Sequence, residues 1–495
     1  MLIWFIVLYL VVSVGIGLYA ARRVHSARDY IVAGRHLPFH FVVAMVFATW
    51  FGAETVLGIS ATFLDEGFRG LISDPLGASL CLVLFGLIFA RPLYKMNLLT
   101  LGDFFRIRYN RRTELILSLC IVLSYLGWVG AQMAALGLVF NVVSGDLIPV
   151  SYGILIGAAV VLVYTLFGGM WSVALTTFVQ MIVIILGLLY VTWIAGDMAG
   201  GFATVIDRAA AEGKFEWLPK LDALDMLAWI AALVTMMLGS IPQQDVFQRV
   251  NSAKSERIAV WGTTLGGISY FFFAAVPLFL AYSATLIDPA MVAKLKAVDT
   301  QLILPNLVLN HMSPVAQVIF FGALLSVIMS TASGTLLAPS VTFSENVLRG
   351  FFKSMSDTQL LLATRITVAV FTVLVTIYAL SSNASIHGMV ENAYRITLAG
   401  AFVPLAAGLF WKRANNLGAM LAIVLGLSTW LLLEAVGPAE AVVEPHLIGL
   451  CASAIGMLLG GLFGEPNSVE RIDPHTELHH RAAAATHHVP GQPHH

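Results

Sequence analysis

Long apolar runs recur along almost the whole chain, separated by short polar segments. Thirteen of them reach the length of about 18 residues that a helix needs to cross a bilayer. The pattern predicts an all-α polytopic membrane protein. Its first run is expected to be a retained membrane helix and not a cleaved signal peptide, because it is long and its basic residues follow it. The predicted spans are 2–21, 38–62, 71–91, 113–141, 149–168, 172–196, 222–242, 258–285, 314–346, 360–381, 386–411, 416–436 and 446–464.

The composition agrees with this pattern and excludes several classes of protein. Hydrophobic residues make up 59% of the 495 residues and charged residues only 11%, whereas soluble chains carry about 25% charged residues. No loop is large enough for a nucleotide-hydrolysing domain, and no P-loop or catalytic triad motif is present. We therefore expect a transporter driven by an ion gradient, with no enzymatic activity, no organic cofactor and no nucleic-acid partner.

Lysine and arginine are unevenly distributed between the two sides of the predicted membrane. With the N-terminus outside, the inner segments hold 20 of the 27 basic residues and the outer segments hold 6. Cytoplasmic loops carry the excess of basic residues in membrane proteins. The distribution predicts a plasma (inner) membrane protein with its N-terminus outside and its C-terminus in the cytoplasm.

Two predicted spans contain helix breakers at equivalent places. The second span is interrupted at 51–54, where Glu54 follows Gly52, and the seventh is interrupted at 239–242, followed by Gln243. A matched pair of interrupted spans is typical of secondary transporters built from inverted repeats. We expect one transporter domain over 1–465, with five-plus-five repeats at about 38–196 and 222–411. The His-rich segment 466–495 is expected to be a disordered cytoplasmic tail, because it lacks apolar periodicity.

The ninth span carries a cluster of hydroxyl groups around Ser330 and Thr331. Hydroxyls together with the carbonyls of a broken helix could replace the hydration shell of a sodium ion. The alternative is that these small residues let membrane helices pack closely.

Five motifs in order resemble those of the sodium:solute symporter family, near its choline, proline and sugar transporter branches. They cover the chain from the first span to about position 435, and they lie at 26–38, 100–109, 164–173, 244–249 and 401–404. The resemblance implies a leucine-transporter-like fold over helices 2–11. It also implies sodium-coupled import of a small organic solute by alternating access.

The resemblance implies a sodium site between the interrupted second span and the hydroxyl-rich ninth span. Its ligands would be the carbonyls of Ala48, Phe51 and Val327 and the hydroxyls of Ser330 and Thr331.

One position departs from the family pattern. Thr177 stands where members commonly have an aspartate that is tied to sodium passage or to a second sodium. One sodium ion per cycle is the resulting expectation.

The substrate is less clearly indicated than the ion. Trp50 and Trp128 lie where the choline branch places aromatic residues, and aromatic faces attract quaternary ammonium groups. Gln243 stands where that branch has another tryptophan, and both tryptophans could equally be packing residues.

Two charged residues within spans favour a different substrate. Arg395 could hold a substrate carboxylate with its planar fork, and Glu54 could face an amine. Alternatively, Arg395 could pair with Glu391 one turn earlier. A carboxylate or zwitterion is therefore the favoured solute, with choline- or betaine-like cations as the alternative and a transporter-like solute sensor as a different class.

Overall fold

The computed structural model of the protein describes residues 2–220, 222–352, 355–382, 385–437 and 443–465. The predicted His-rich tail, 466–495, lies outside these ranges. Among the described residues the secondary structure is helical, without β-strands. The α-helices are α1 Leu2–Ala20, α2 Ala27–Val32, α3 Phe39–Trp50, α4 Ile59–Glu66, α5 Ala78–Leu84, α6 Ala90–Lys95, α7 Leu101–Arg108, α8 Arg111–Val143, α9 Val150–Met198, α10 Phe202–Ala211, α11 Ala223–Gly239, α12 Gln244–Asn251, α13 Glu256–Phe273, α14 Ala275–Ile287, α15 Pro289–Lys296, α16 Ile303–His311, α17 Pro314–Thr342, α18 Arg349–Phe351, α19 Asp357–Ser381, α20 Ile386–Thr397, α21 Val403–Phe410, α22 Asn416–Val436 and α23 Pro445–Phe463.

The number of membrane-spanning helices differs from the sequence prediction. Ten helical segments of the described chain are long and apolar enough to cross a membrane, or eleven if the bent pair α11–α12 counts as one span. The predicted thirteen are not confirmed, because helical structure continues between some predicted spans. The segments Glu54–Lys95 and Val150–Met198 contain 42 and 49 residues. The second leaves helical geometry at Gly169, where φ is 49°.

Both predicted helix breaks are present. α3 ends at Trp50, Phe51 is non-helical with ψ of 73°, and the chain resumes as a π-helix over Glu54–Gly58. α11 ends at Gly239, and α12 begins at Gln244 with a bend of 46° between the two helices. The boundaries of the two predicted repeats stay a prediction.

α17 lies in the centre of the helix assembly. It packs against α9, α8, α1 and α3, and its residues from 323 to 342 are all buried. A helix whose whole circumference is apolar or small is expected in such an interior position. Its hydroxyl groups therefore face other helices and not lipid. Because α3 is one of the helices packed against α17, hydroxyl groups of α17 can lie beside the break after α3.

Candidate sodium and substrate sites

The break after α3 frees two backbone carbonyls from helical hydrogen bonding. In a continuous helix the carbonyls of Ala48 and Phe51 would accept from the N–H groups four residues later. Instead, the N–H of Gly52 donates to Trp50, and the N–H of Thr55 donates to Gly52. Two carbonyl oxygens are thus left for other partners in a fully buried position.

α17 supplies the hydroxyl groups that meet these carbonyls. Thr331 Oγ1 donates to the carbonyl oxygens of Ala48 and Phe51, at 3.2 and 3.4 Å. One residue earlier, Ser330 Oγ donates to the carbonyl oxygen of Val327 at 2.9 Å. All five residues are fully buried. The structure therefore brings the Thr331 hydroxyl to two of the three expected carbonyls, while Ser330 and Val327 contact each other one turn away on the same helix.

Aromatic rings cluster directly after α3. The rings of Trp50 and Trp128 stack with their centroids 4.9 Å apart and an interplanar angle of 22°. Tyr394 of α20 meets both edge-on, at 5.5 and 5.6 Å. Trp50 Nε1 and the Tyr394 hydroxyl are buried donors without a hydrogen-bond partner. The cluster thus combines aromatic rings with unused polar groups, as ligand-binding pockets do.

Glu54 lies beside these rings and is completely buried. Its carboxylate accepts from Trp128 Nε1 at 3.1 Å and from Gln132 Nε2 at 2.7 Å. Gln132 is itself oriented by the N–H of Ala53, which donates to its Oε1 at 3.1 Å. A Cβ atom on Gly52 would lie too close to the carboxylate, so a larger residue there would displace Glu54 from this position. Within the described chain no basic side chain lies within 4 Å of Glu54, and its charge is met only by neutral donors.

Gln243 lies at the second break, on the α11–α12 side of the site. Its Nε2 donates to Ser124 Oγ at 3.0 Å and to Thr397 Oγ1 at 3.3 Å. Thr397 Oγ1 in turn donates to the carbonyl oxygen of Gly239, at 2.6 Å. These contacts tie the second break to α8 and α20, the helices that carry Trp128 and Tyr394.

Arg395 forms an ion pair with a residue that the sequence did not indicate. Its Nη1 lies 3.6 Å from Glu434 Oε1 of α22, and no ion pair joins it to Glu391. The alternative of a pairing with Glu391 is therefore wrong, because the ion pair is made with Glu434. Tyr394, the preceding residue, faces the tryptophans, whereas the Arg395 guanidinium extends toward α22.

We expect Arg395→Lys to leave substrate affinity and thermal stability nearly unchanged. Glu434 is half-exposed, and exposed ion pairs contribute only about 0–1 kcal/mol. Binding and melting temperature are to be measured on Arg395→Lys and on Glu434→Gln as its matched partner variant. A strong loss of substrate binding in Arg395→Lys alone would return the carboxylate-binding role to this residue.

The comparisons with known proteins agree with this arrangement. The model of the family described as "Sodium:solute symporter family" matches residues 30–426. The chain belongs to the sodium:solute symporter family. It is therefore a sodium-coupled solute symporter and a multi-pass membrane protein, and it is not an enzyme.

Relatives within the family include transporters of different solutes. High affinity choline transporter 1 of Homo sapiens is 30% identical over 452 residues, which are 86% of this chain and 75% of that protein. Osmoregulated proline transporter OpuE of Bacillus subtilis is 26% identical over 88% of this chain and 89% of its own length. A choline transporter and a proline transporter are thus both similar to this symporter over most of its length.

Solved structures of other symporters share the fold. A Na⁺-coupled sialic acid symporter in its substrate-bound outward-open state superposes with a TM-score of 0.81 at 20% identity, over 94% of this chain and 98% of its own. Mhp1, a nucleobase-cation-symport-1 family transporter, superposes with a TM-score of 0.58 at 14% identity, over 87% and 92% of the two chains. The leucine-transporter-like fold predicted for this symporter is confirmed.

Two residues around Trp128 and Glu54, namely Gln132 and Tyr394, were not singled out in the sequence. Gln132 lies four residues after Trp128 on α8, so both side chains point to the same face of that helix. That spacing was a usable signal. Tyr394 precedes Arg395, and an uncharged aromatic residue within a span carries no signal comparable to a charged one. Its role depends on the way α20 packs against α8.

Proposed function

We propose that this symporter couples sodium entry to the import of a small organic cation. The observation that carries the proposal is the Glu54 carboxylate, which is buried beside aromatic rings and receives only neutral hydrogen bonds. An uncompensated buried charge is costly. A cationic solute would provide the missing charge, and the ring faces of Trp50 and Trp128 would add cation–π attraction.

The stacked tryptophans must separate for a cation to lie against their faces, because each ring covers the other. Trp50 is the last residue of α3 and precedes the non-helical Phe51. Rotation of its side chain at this end of α3 would part the two rings. Gln243 would line the same site from the second break. We assign no substrate contact to Arg395, whose partner is Glu434.

Sodium would bind between α17 and the end of α3. The proposed ligands are the carbonyls of Ala48, Phe51 and Val327 and the hydroxyls of Ser330 and Thr331. Sodium at Ala48 and Phe51 would hold the broken segment that carries Trp50 and Glu54. It would thereby raise the affinity for the solute, and by linkage the solute would raise the affinity for sodium by the same factor. That coupling is what a symporter requires.

We also propose the membrane orientation, with the N-terminus outside and the C-terminus in the cytoplasm of a plasma (inner) membrane. The distribution of lysine and arginine supports it. Single cysteines introduced in segment 197–221 should then react with a membrane-impermeant reagent added to intact cells. Reaction only after the membrane is opened would reverse the assignment.

The substrate class can be tested with purified protein in sodium buffer. Thermal shifts are to be measured with choline, alkylamines and alkanediamines, and with proline, glycine betaine and sialic acid as zwitterionic and anionic solutes. Cations are expected to stabilise the protein, and more so in sodium than in potassium. The relatives named as proline transporters make a zwitterion the second candidate, and a response only to proline would favour it.

The expected stoichiometry is one sodium ion per solute. Thr177, in place of the family's aspartate, has a buried hydroxyl without a hydrogen-bond partner, and a hydroxyl is a weaker cation ligand than a carboxylate. Reversal potentials in vesicles measure the ratio. A ratio of two would require a second ion site built from other residues.

A further inference from the structure

Two buried carboxylates in the described part of the protein lack the nearby arginine that the other buried carboxylates have. Within the described chain, Asp103, Glu114, Asp245 and Glu345 are each at most 5% exposed, and each lies within 4 Å of an arginine. Glu54 and Asp74 are equally buried, at 0% and 1% exposed. No described basic side chain lies within 4 Å of either one. Among the residues that the structure describes, these two buried carboxylates thus have no basic partner.

Asp74 lies in the irregular segment Ile72–Gly77, which leaves helical geometry at this residue. Its Oδ1 accepts a hydrogen bond from the Tyr270 hydroxyl. Its Oδ2 is buried and has no hydrogen-bond partner. One oxygen of this carboxylate is therefore fixed by the protein, while the other is free to accept from a ligand.

Asp74 is connected to the site of Glu54 through two side chains. The Tyr270 hydroxyl that donates to Asp74 also lies 3.2 Å from Thr55 Oγ1. Thr55 follows Glu54 directly, and its Oγ1 donates to the carbonyl oxygen of Trp50 at 2.7 Å. A chain of contacts through Tyr270 and Thr55 thus links Asp74 to the residue beside Glu54.

The groups of α20 near Asp74 do not provide a clear counter-charge. His387 and Glu391 both lie on α20, and a protonated histidine and a glutamate carry opposite charges. A Cβ atom on Gly58 would lie 3.2 Å from the Cβ of His387, which places this histidine against the segment that follows Glu54. Neither side chain forms an ion pair with Asp74.

From this charge balance we infer that Asp74 binds a second positive charge of the solute, so that the preferred substrate is an organic dication such as an α,ω-alkanediamine. This inference rests on the proposed function, in which Glu54 binds the first charge. A primary ammonium group carries three donors, which suits the free Oδ2 of Asp74. A dication would neutralise both unpaired carboxylates at once, whereas choline would leave one of them unmet.

The test compares 1,4-diaminobutane with n-butylamine, which has the same chain length and one charge fewer. Dissociation constants are to be measured in sodium on the full-length protein, on Asp74→Asn, and on Asp207→Asn as a control that removes an exposed carboxylate. The unmodified protein and the control are expected to prefer the diamine by at least about tenfold. Asp74→Asn should lose this preference through weaker diamine binding, with its affinity for n-butylamine unchanged.

Equal affinity for both amines in the unmodified protein would overturn the inference, as would a preference for the diamine that survives Asp74→Asn. The first comparison needs no variant, so it remains decisive even if Asp74→Asn fails to fold. Binding of n-butylamine or choline without any diamine preference would leave the proposed function intact and refute the second charge. If no amine binds at all, the proposed function itself fails.

Discussion

Glu54→Gln is expected to abolish binding of a cationic solute while leaving the protein folded and at least as stable as before. Glutamine preserves the size of the side chain and can still accept a hydrogen bond from Trp128 or Gln132, but it removes the charge. Losing one partner of a buried charge pair costs about 2–5 kcal/mol, which is at least about thirtyfold in dissociation constant.

The stability measurement separates this role from a structural one. Without solute, the buried carboxylate is an uncompensated charge, and its removal should raise the melting temperature or leave it unchanged. Binding and melting curves are to be recorded on Glu54→Gln and on Glu434→Gln, which makes the same chemical change at a half-exposed position. A Glu54→Gln protein that binds the solute normally, or that fails only because it unfolds, would contradict the assignment.

The double variant Ser330→Ala/Thr331→Val is expected to need much more sodium for half-maximal binding or uptake. Each missing hydroxyl removes a buried oxygen ligand, and an unmet buried polar partner typically costs about 1–3 kcal/mol. For each hydroxyl this corresponds to roughly a 5- to 150-fold weaker affinity. At saturating sodium, solute affinity should approach that of the unmodified protein, because the solute contacts themselves are intact.

A matched control comes from the same helix. Ser340 is fully buried on α17, and its hydroxyl donates to the carbonyl oxygen of Leu336 at 2.9 Å, away from the break after α3. Ser340→Ala should therefore retain normal sodium dependence. An unaltered sodium dependence in the double variant would refute the proposed ligand set.

Features that depend on local sequence were predictable for this protein. The break after Trp50 follows from Gly52 and from Glu54 two residues later within an apolar run. The hydroxyls of Ser330 and Thr331 stand out as adjacent members of a cluster of small hydroxyl residues. Both features need only a few neighbouring residues to be recognised. Their meeting in space required the fold, and for the fold the resemblance to a family was needed.

Features that depend on distant partners were not predictable from spacing. Glu391 lies four residues before Arg395, which is a favourable spacing for a helical ion pair. The guanidinium nevertheless contacts Glu434 on another helix. A long side chain can reach residues of neighbouring helices, and the sequence does not show which helices are neighbours. Asp74 was overlooked for the same reason. Its significance appears only when the pairing of all the other buried carboxylates is known. The predicted count of thirteen spans is not confirmed, because predicted neighbours such as 149–168 and 172–196 fall in one long helical segment that is interrupted only at Gly169.

The hydrogen bonds of Thr331 also bear on how the empty carrier completes its transport cycle. A hydroxyl can either donate its proton or turn and present its lone pairs. With its proton directed to Ala48 and Phe51, Thr331 caps the two carbonyls that a cation would otherwise have to satisfy. The empty carrier can therefore change its orientation without exposing bare backbone oxygens in the protein interior. Rotation of the Thr331 hydroxyl would thus serve both the return of the empty carrier and the inward transport step of the loaded carrier.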